Sequence, residues 1–224
     1  LGTAARPWTG SMSGVSYRRL KSHDFTAHCI DGVMLELTQC EVYNCDGTAA
    51  VDGSVSKAED CWLHDPVDNA VVGFEAVTNV YGCLIEGNWE FALRPNTGGF
   101  AVLNTIVLTG ENAGGINANT SDNIYIAHNT IVGDGSAGQY GYYSSSGYAV
   151  SVIYNVFQGF DGTDAEWFLT SGITVPVNRL TNNVMYRCND PSIPADMVIR
   201  DEGNVYDNVP VSYTHLTLPT KPSG

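Results

Sequence analysis

The sequence predicts an all-β solenoid, in which short strands stack coil upon coil. Two observations support this prediction: a string of four residues that occurs twice, and columns of apolar residues that keep the same distance from it. Asn-Thr-Ile-Val stands at 104–107 and again at 129–132. Because self-similarity at a fixed period is typical of repeat architectures, we searched the rest of the chain for the same unit.

Each predicted coil has one anchor residue, which is a histidine in the first coil, a cysteine in the next three and an asparagine in the last four. The anchors define about eight coils of 17–28 residues. They are His23, Cys40, Cys61, Cys83, Asn104, Asn129, Asn155 and Asn183. Two residues after the anchor, every coil has an apolar residue: Phe25, Val42, Leu63, Ile85, Ile106, Ile131, Phe157 and Met185. Three residues before it stands a second apolar column: Leu20, Leu37, Ala58, Val80, Ala101, Ile126, Val152 and Leu180.

The segments between anchors are short, rich in β-branched and aromatic residues, and bounded by Gly, Asn or Asp, which favours strands over helical repeats. The two apolar columns are an odd number of residues apart, and such residues face opposite sides of a straight strand. A turn must therefore separate them. We place it at the anchor, because Asn tolerates the left-handed backbone conformation. Asn amides on coils about 4.8 Å apart can also hydrogen-bond along the stack.

The rhythm of these coils resembles the right-handed parallel β-helix of the pectate-lyase-like superfamily. The pattern Ile-x-x-Asn-x-Ile at 126–131 returns in similar form at 152–157 and 180–185. The resemblance covers residues 12–208 and implies one right-handed parallel β-helix domain. It also implies an asparagine ladder at Asn104, Asn129, Asn155 and Asn183. Since many functions share this fold, the resemblance says more about structure than about activity.

The cysteines at the anchor position have two interpretations. Cys40, Cys61 and Cys83 are either small buried hydrophobic residues or contain one disulfide between neighbours, since Cα atoms on adjacent coils fall within the usual window of about 4.4–6.8 Å. Cys45 and Cys188 stand five residues after their anchors. We expect these two to be too many coils apart to meet.

Composition restricts the partners. The chain of 224 residues has 10 Lys and Arg against 24 Asp and Glu, for a net charge of −14. Such a surface disfavours nucleic acid and anionic membranes, and no apolar run approaches the roughly 20 residues of a membrane span. No nucleotide-binding motif occurs, so we expect neither a nucleotide nor an organic cofactor. We expect an irregular piece of a truncated chain at 1–11 and a non-native or disordered tail at 209–224, because 211–220 resembles a translated sequencing adapter.

One predicted site lies on the outer face of the first strand of each coil. We place Ile30, Val51, Val72, Leu93 and Ile116 in its inward column, with a rival column at Cys29, Ala50, Val71 and Ala92. The next residues then form an outward row: Asp31, Asp52, Gly73, Arg94 and Asn117. Two carboxylates on neighbouring coils require a cation or a raised pKa. The plainer alternative is that Asp-Gly serves only the geometry of a turn.

The resemblance assigns roles to this row. It implies that Asp31 and Asp52 bind Ca²⁺ against a uronic acid, that Arg94 is the catalytic base, and that Asn117 contacts the substrate. The cation would also explain how an acidic protein binds an acidic glycan. The chain departs from the family's motifs, because 61–65 has His and Asp in reversed order and 93–98 lacks a second arginine. We therefore name no particular substrate.

A second predicted site lies on the outer face of the third strand. Tyr43, Trp62, His64 and Glu86 stand there, beside Asp24 and Glu41. An exposed aromatic ring among carboxylates suits a sugar, and His64 could act as a general acid or base. An ordinary solvated face is the alternative.

Together these patterns predict a secreted or cell-surface protein that binds polysaccharide. If it is an enzyme, we expect a calcium-assisted polysaccharide lyase acting on uronic-acid glycans, or a glycoside hydrolase. The alternative is a non-enzymatic adhesin, spike or structural solenoid.

Overall fold

The structure, a computed structural model, describes residues 14–26, 28–118, 123–144, 150–170, 178–189 and 199–207. All regular structure in these ranges is β-strand, and the strands pair in parallel as a β-solenoid, which confirms the predicted fold class. No helix of membrane-spanning length and hydropathy occurs in the described ranges. The predicted irregular piece at 1–11 and the adapter-like segment at 211–220 lie outside them.

Each complete coil has three sides, of which the first two belong to one sheet and the third to a second sheet. The strands of the first sheet are β1 Ser16–Arg18, β3 Ile30–Thr38, β5 Ala49–Glu59, β7 Val72–Tyr81, β9 Phe91–Val102, β11 Gly114–Asn117, β12 Ile124–Ala127, β14 Tyr140–Ser144, β15 Val150–Ile153, β17 Glu166–Thr170, β18 Asn178–Thr181 and β20 Ile199–Glu202. Those of the second sheet are β2 Lys21–Phe25, β4 Glu41–Cys45, β6 Trp62–His64, β8 Leu84–Gly87, β10 Thr105–Leu108, β13 Thr130–Val132, β16 Val156–Phe160, β19 Val184–Cys188 and β21 Val205–Asp207.

The solenoid makes about six turns rather than the eight predicted. The rungs at both ends are incomplete, since β1–β2 and β20–β21 supply only the second and third sides among the described residues. In the early coils one long strand covers both the first and the second side. β3, β5, β7 and β9 do this through register shifts that bend the strand.

The two predicted apolar columns form the interior from the second coil onward. Val42, Leu63, Ile85 and Ile106 are successive register partners and are fully buried. The first coil differs from the prediction, because Lys21 pairs with Glu41 and Ser22 with Val42. Leu20, not His23, therefore stands at the anchor level of Cys40, and the inward position belongs to Ser22 rather than Phe25.

The turn between the second and third sides lies one residue earlier than predicted. The residue before each anchor has φ between 54 and 69°, the left-handed region, and the anchor itself does not. These residues are Arg19, Gln39, Asp60, Gly82, Leu103, His128, Tyr154, Asn182 and Gly203. The anchor asparagines are therefore not required by the backbone conformation, and their hydrogen bonds explain their presence instead.

The asparagine ladder is confirmed and is one member longer than predicted. Asn104 Nδ2 donates to Asn129 Oδ1 at 3.0 Å, and the same bond joins Asn129 to Asn155, Asn155 to Asn183 and Asn183 to Asn204. Each Oδ1 also accepts the backbone N–H of the preceding anchor at 2.7–2.9 Å. Buried donors and acceptors are thus satisfied from rung to rung, as burial requires.

The cysteine anchors continue this ladder as buried thiols. Cys40, Cys61 and Cys83 are unbridged, and Cys83 Sγ accepts the backbone N–H of Cys61 at 3.4 Å. This confirms the first of their two interpretations. A disulfide occurs elsewhere, between Cys29 and Cys45, with a Cα–Cα distance of 5.9 Å. Cys45 and Cys188 do not pair with each other, as expected, but the pairing of Cys45 with Cys29 was not predicted. A partner on a different side of the coil does not share its offset from the anchor, so the repeat pattern did not reveal it.

Candidate functional site

The outward row on the first side differs from the predicted one at a single position. Asp31 pairs in register with Asp52, as predicted. The register then shifts, so that Val51 pairs with Phe74 rather than Val72, and Glu75 rather than Gly73 precedes Arg94 in the row. The row therefore reads Asp31, Asp52, Glu75, Arg94, Asn117 and Tyr143. Equal residue counts predicted the wrong partner because the loop before β7 is two residues longer than the loop before β5: seven residues separate His64 from Val72, whereas five separate Tyr43 from Ala49.

The Asp52 carboxylate is already engaged by neighbouring groups. Its Oδ1 accepts the backbone N–H of Gly53 at 2.6 Å, and its Oδ2 lies 3.4 Å from Nε2 of His28. Gly53 has φ +99°, and a Cβ there would stand 1.9 Å from the carbonyl oxygen of Gly32. The Asp-Gly pair thus serves the bend in the strand, which supports the plainer interpretation of these residues.

The donors for a calcium ion are few. Ca²⁺ takes six to eight oxygen ligands, whereas Asp31 and Asp52 supply two carboxylates, one of which is held as described. In the described part of the chain no group of three or more His, Cys, Asp or Glu side chains is arranged to hold a metal. Among the described residues, Asp31 and Asp52 would therefore need further oxygen ligands to hold a calcium ion on this face.

Arg94 lies in the middle of the row and is paired with acids. Its Nη1 donates to Glu75 Oε2 at 2.8 Å, and its Nη2 lies 3.8 Å from Glu90 Oε1. The Glu75 side chain is 26% exposed. Burial raises the pKa of Glu75 above its ordinary value, although the guanidinium of Arg94 opposes the shift. Glu75 and Arg94 thus form a partly buried ion pair that offers both an acceptor and donors to a ligand.

Aromatic rings stand beside this ion pair. The Phe91 ring lies under the guanidinium of Arg94, 5.7 Å from centroid to Cζ, and stacks with Tyr143 at 5.7 Å between centroids. Gly114 makes room for this contact, since a Cβ there would stand 2.5 Å from the Phe91 ring. Tyr140 lies 6.1 Å from Tyr143. Sequence reasoning missed all three rings, although their recurrence before and after the inward column was a usable signal.

Asn117 belongs to the row by register but is only 3% exposed. Its amide is therefore largely hidden from a ligand at the surface. The predicted contact between Asn117 and a substrate would require neighbouring side chains to move.

The third side carries a stack of rings along the solenoid axis. His23, Tyr43 and His64 stack at 4.6 and 4.9 Å between centroids, and Trp62 lies 3.8 Å from His64. The register places Lys21 and His23, not Asp24, beside Glu41 and Tyr43. Trp62 is 7% exposed and His64 8%. The faces of these two rings are used within the protein, so Trp62 is not the exposed platform that the sequence predicted.

His64 is held between two carboxylates. Its Nδ1 lies 2.8 Å from Asp65 Oδ2 and its Nε2 3.4 Å from Glu41 Oε1, while Lys21 binds Glu41 at 2.8 Å. Glu86, the predicted neighbour of His64, accepts a hydrogen bond from Trp62 Nε1 at 2.9 Å. The cluster is well connected, and its centre at Trp62 and His64 is buried, whereas Lys21 and Asp65 at its edge are exposed. Arg94 and His64, both predicted to be catalytic, lie on different sheets.

Comparisons of the chain with known protein families, with characterised proteins and with solved structures found no match. Two faces of the solenoid, on the first and the third side, have the side chains that could bind a ligand. Of these, the first side combines charged groups with partly exposed rings.

Proposed function

We propose that this chain is a polysaccharide-binding β-helix of the pectate-lyase-like kind, and that the outer face of its first side is the binding surface. One observation carries the proposal: the Phe91–Tyr143 stack stands directly beside the Glu75–Arg94 ion pair. Flat rings beside charged hydrogen-bonding groups are what a sugar ring needs, because its faces are apolar and its edge carries hydroxyls.

The parallel stack gives this surface a direction. Equivalent residues on adjacent rungs repeat at about 4.8 Å, so acids, the arginine and the rings follow one another along the solenoid axis. Asp31 and Asp52 begin the row, Glu75 and Arg94 continue it, and Tyr143 lies at its far end. A chain of sugar units lying along the axis would contact these groups in turn.

The proposed location is outside the cell or on its surface. The Cys29–Cys45 disulfide supports this, because disulfides persist in oxidising compartments and are rare in the cytosol. The excess of acidic side chains is also consistent with a neutral glycan, or with an acidic glycan bridged by cations.

Calcium-assisted elimination is a narrower proposal on the same face. It requires glycan oxygens to complete the coordination that Asp31 and Asp52 begin, and it requires Arg94 to leave Glu75 before it can accept a proton. Glycoside hydrolysis would instead use two carboxylates, for which Glu75 and Asp52 are adjacent in the row. The carboxyl group of Glu75, with its raised pKa, is the better acid of the two.

The test is to measure binding of soluble neutral and uronic-acid polysaccharides to the full chain and to its Tyr143→Ala variant. We expect the loss of the ring to weaken binding about tenfold, equivalent to about 1.4 kcal/mol. Tyr186→Ala is the matched control, because Tyr186 is half-buried on the third side. Ultraviolet absorbance of unsaturated product, with calcium and then with chelator, tests the lyase proposal in the same samples.

Binding that is equal in the two variants would remove the first-side face from consideration. No binding to any glycan by folded protein would favour the alternative, a non-enzymatic adhesin, spike or structural solenoid. Calcium-independent cleavage without unsaturated product would favour the hydrolase over the lyase.

A further inference from the structure

A second surface, on a different part of the coil, has features that folding alone does not explain. It lies at the turn between the second and third sides, where the residue before each anchor has left-handed φ. That conformation disfavours residues with a bulky side chain and suits Gly, Asn and Asp. Asp60, Gly82 and Asn182 follow this preference, whereas Arg19 and Gln39 in the first coils are long but polar. The three consecutive coils between Gly82 and Asn182 do not follow it, and have Leu103, His128 and Tyr154 instead. We call these three residues the turn ridge.

The turn ridge gains little from packing within the chain. Leu103 is 63% exposed and Tyr154 is 51% exposed. His128 and Tyr154 stack on each other with ring centroids 5.2 Å apart and nearly parallel planes. A large apolar residue at an exposed, conformationally unfavourable position, where the neighbouring coils have small or polar residues, indicates a contact outside the chain.

A groove adjoins the ridge at Leu103. Its volume is about 580 Å³, which lies within the usual range of about 300–1,000 Å³ for ligand sites. It is lined by Lys57, Glu59, Asp60, Asn79, Tyr81, Gly82 and Leu103. None of these residues belongs to the first-side row, so the groove is separate from the surface described above.

The polar groups of the groove indicate the charge of its ligand. Lys57 pairs with Glu59, and both side chains are about two-fifths exposed. Asp60 adds a second carboxylate, and Gly82 leaves space for it, since a Cβ there would stand 2.8 Å from Asp60 Oδ1. With one ammonium and two carboxylates, the groove disfavours an anion. Carboxylate oxygens and an ammonium group bind hydroxyls well.

Aromatic side chains follow one of the groove residues, Asn79, on the next rungs. Asn79 pairs in register with Phe100, which pairs with Tyr125. Phe100 is 42% exposed, and its ring meets that of Tyr125 edge to face at 6.0 Å. Rings at successive rungs suit a ligand with several sugar units better than a single compact molecule.

We propose that this groove is a binding site for a neutral, hydroxyl-rich saccharide. Tyr81 and Leu103 cover the apolar face of one sugar ring, Lys57, Glu59 and Asp60 bind its hydroxyls, and Phe100 contacts the next unit. The site does not depend on the first-side face, and the chain then has two separate saccharide-binding surfaces.

The decisive variant is Leu103→Asn. Asparagine is better suited than leucine to left-handed φ, so a purely structural Leu103 predicts unchanged or improved thermal stability and no effect on any ligand. A ligand-binding Leu103 predicts the same stability with binding weakened about tenfold, the change that the loss of one apolar contact of about 1.4 kcal/mol produces. Gln39→Asn is the matched control, since it introduces the same residue at the equivalent turn position of a coil outside the groove.

The experiment titrates the full chain and both variants with hexasaccharides of glucose, of mannose and of galactose, and with a hexamer of galacturonic acid as the charged comparison. We expect a neutral hexasaccharide to bind the parent and Gln39→Asn equally and Leu103→Asn about tenfold more weakly. Tyr186→Ala, on the third side and outside both proposed surfaces, should leave this binding unchanged. Equal binding to Leu103→Asn, preference for the galacturonate, or no saccharide binding at all would each overturn the proposal.

Discussion

Replacing Asn129 by alanine tests whether the ladder stabilises the solenoid. The Asn129 side chain is 1% exposed and makes four hydrogen bonds to three residues. It accepts from the backbone and side-chain nitrogens of Asn104 and donates to Ala101 O and Asn155 Oδ1. Truncation leaves the buried N–H of Asn104 without this acceptor, whereas the Asn104 side chain keeps its bond to Val80 O at 3.1 Å.

The magnitude follows from these contacts. An orphaned buried N–H costs about 1–3 kcal/mol, and each further lost hydrogen bond about 0.5–1.5 kcal/mol. With one orphaned N–H and three further lost hydrogen bonds, we therefore expect Asn129→Ala to lower the free energy of unfolding by about 2.5–7.5 kcal/mol, a large part of the about 5–15 kcal/mol of a typical domain. Urea unfolding followed by far-ultraviolet circular dichroism measures the difference.

Asn129→Cys supplies the internal comparison. Cys83 occupies the equivalent position two ladder steps before Asn129, and its sulfur accepts a backbone N–H at 3.4 Å. A thiol at 129 can do the same for Asn104, so the cysteine variant should lose less stability than the alanine variant. If Asn129→Ala unfolded within about 1 kcal/mol of the parent, the ladder would not carry the stability that its hydrogen bonds indicate.

Two further predictions concern the first side. Gly53→Ala should destabilise the protein by about 3 kcal/mol, and Gly98→Ala by only about 1 kcal/mol. Both glycines have positive φ, but only the new Cβ at position 53 meets backbone, at 1.9 Å. Equal melting temperatures of the two variants would show that the bend adapts to the new side chain. Because burial raises the pKa of Glu75 above 4.5, the native state keeps a proton that the unfolded chain has released, so the stability contributed by this group falls as pH rises from about 4.5 through the folded pKa. Urea titrations at several pH values should show the parent losing stability relative to Glu75→Gln as pH rises over that interval. A difference in stability that does not change with pH would contradict the expectation.

The interior could be predicted from sequence because it repeats. Val42, Leu63 and Ile85 keep a fixed distance from their anchors, and the hydrogen bonds of Asn104 and Asn129 join equivalent positions. The turn was predicted one residue too late because the asparagines were attributed to the backbone conformation of the turn. Asparagine tolerates the left-handed conformation, but here that conformation belongs to the preceding residue, and Asn is kept for its amide.

The candidate site was less predictable, because it depends on features that do not repeat. The loop before β7 is two residues longer than the loop before β5, which puts Glu75 rather than Gly73 in the row, and the repeat does not reveal a change in loop length. The first coil was misaligned because Leu20, which is level with Cys40, is neither a cysteine nor an asparagine and so was not recognised as the anchor. The outer rings were overlooked because Phe91 and Tyr143 meet only through the space that Gly114 leaves.

The register of the ladder also bears on how such a chain changes length in evolution. Thr105 and Thr130 are partners on adjacent rungs, and the N–H of Thr130 already donates to the carbonyl of Asn104 at 2.9 Å. An in-frame deletion of 105–129 would join two points that the fold holds side by side, and a duplication of the same segment would insert one more rung with its own amide. The deletion would remove one side chain of the turn ridge, His128, and the duplication would add a second copy of it. Both would leave the Glu75–Arg94 pair in place. The length of polymer that the protein contacts could thus change by one rung at a time, through ordinary unequal recombination, without substitutions in the interior.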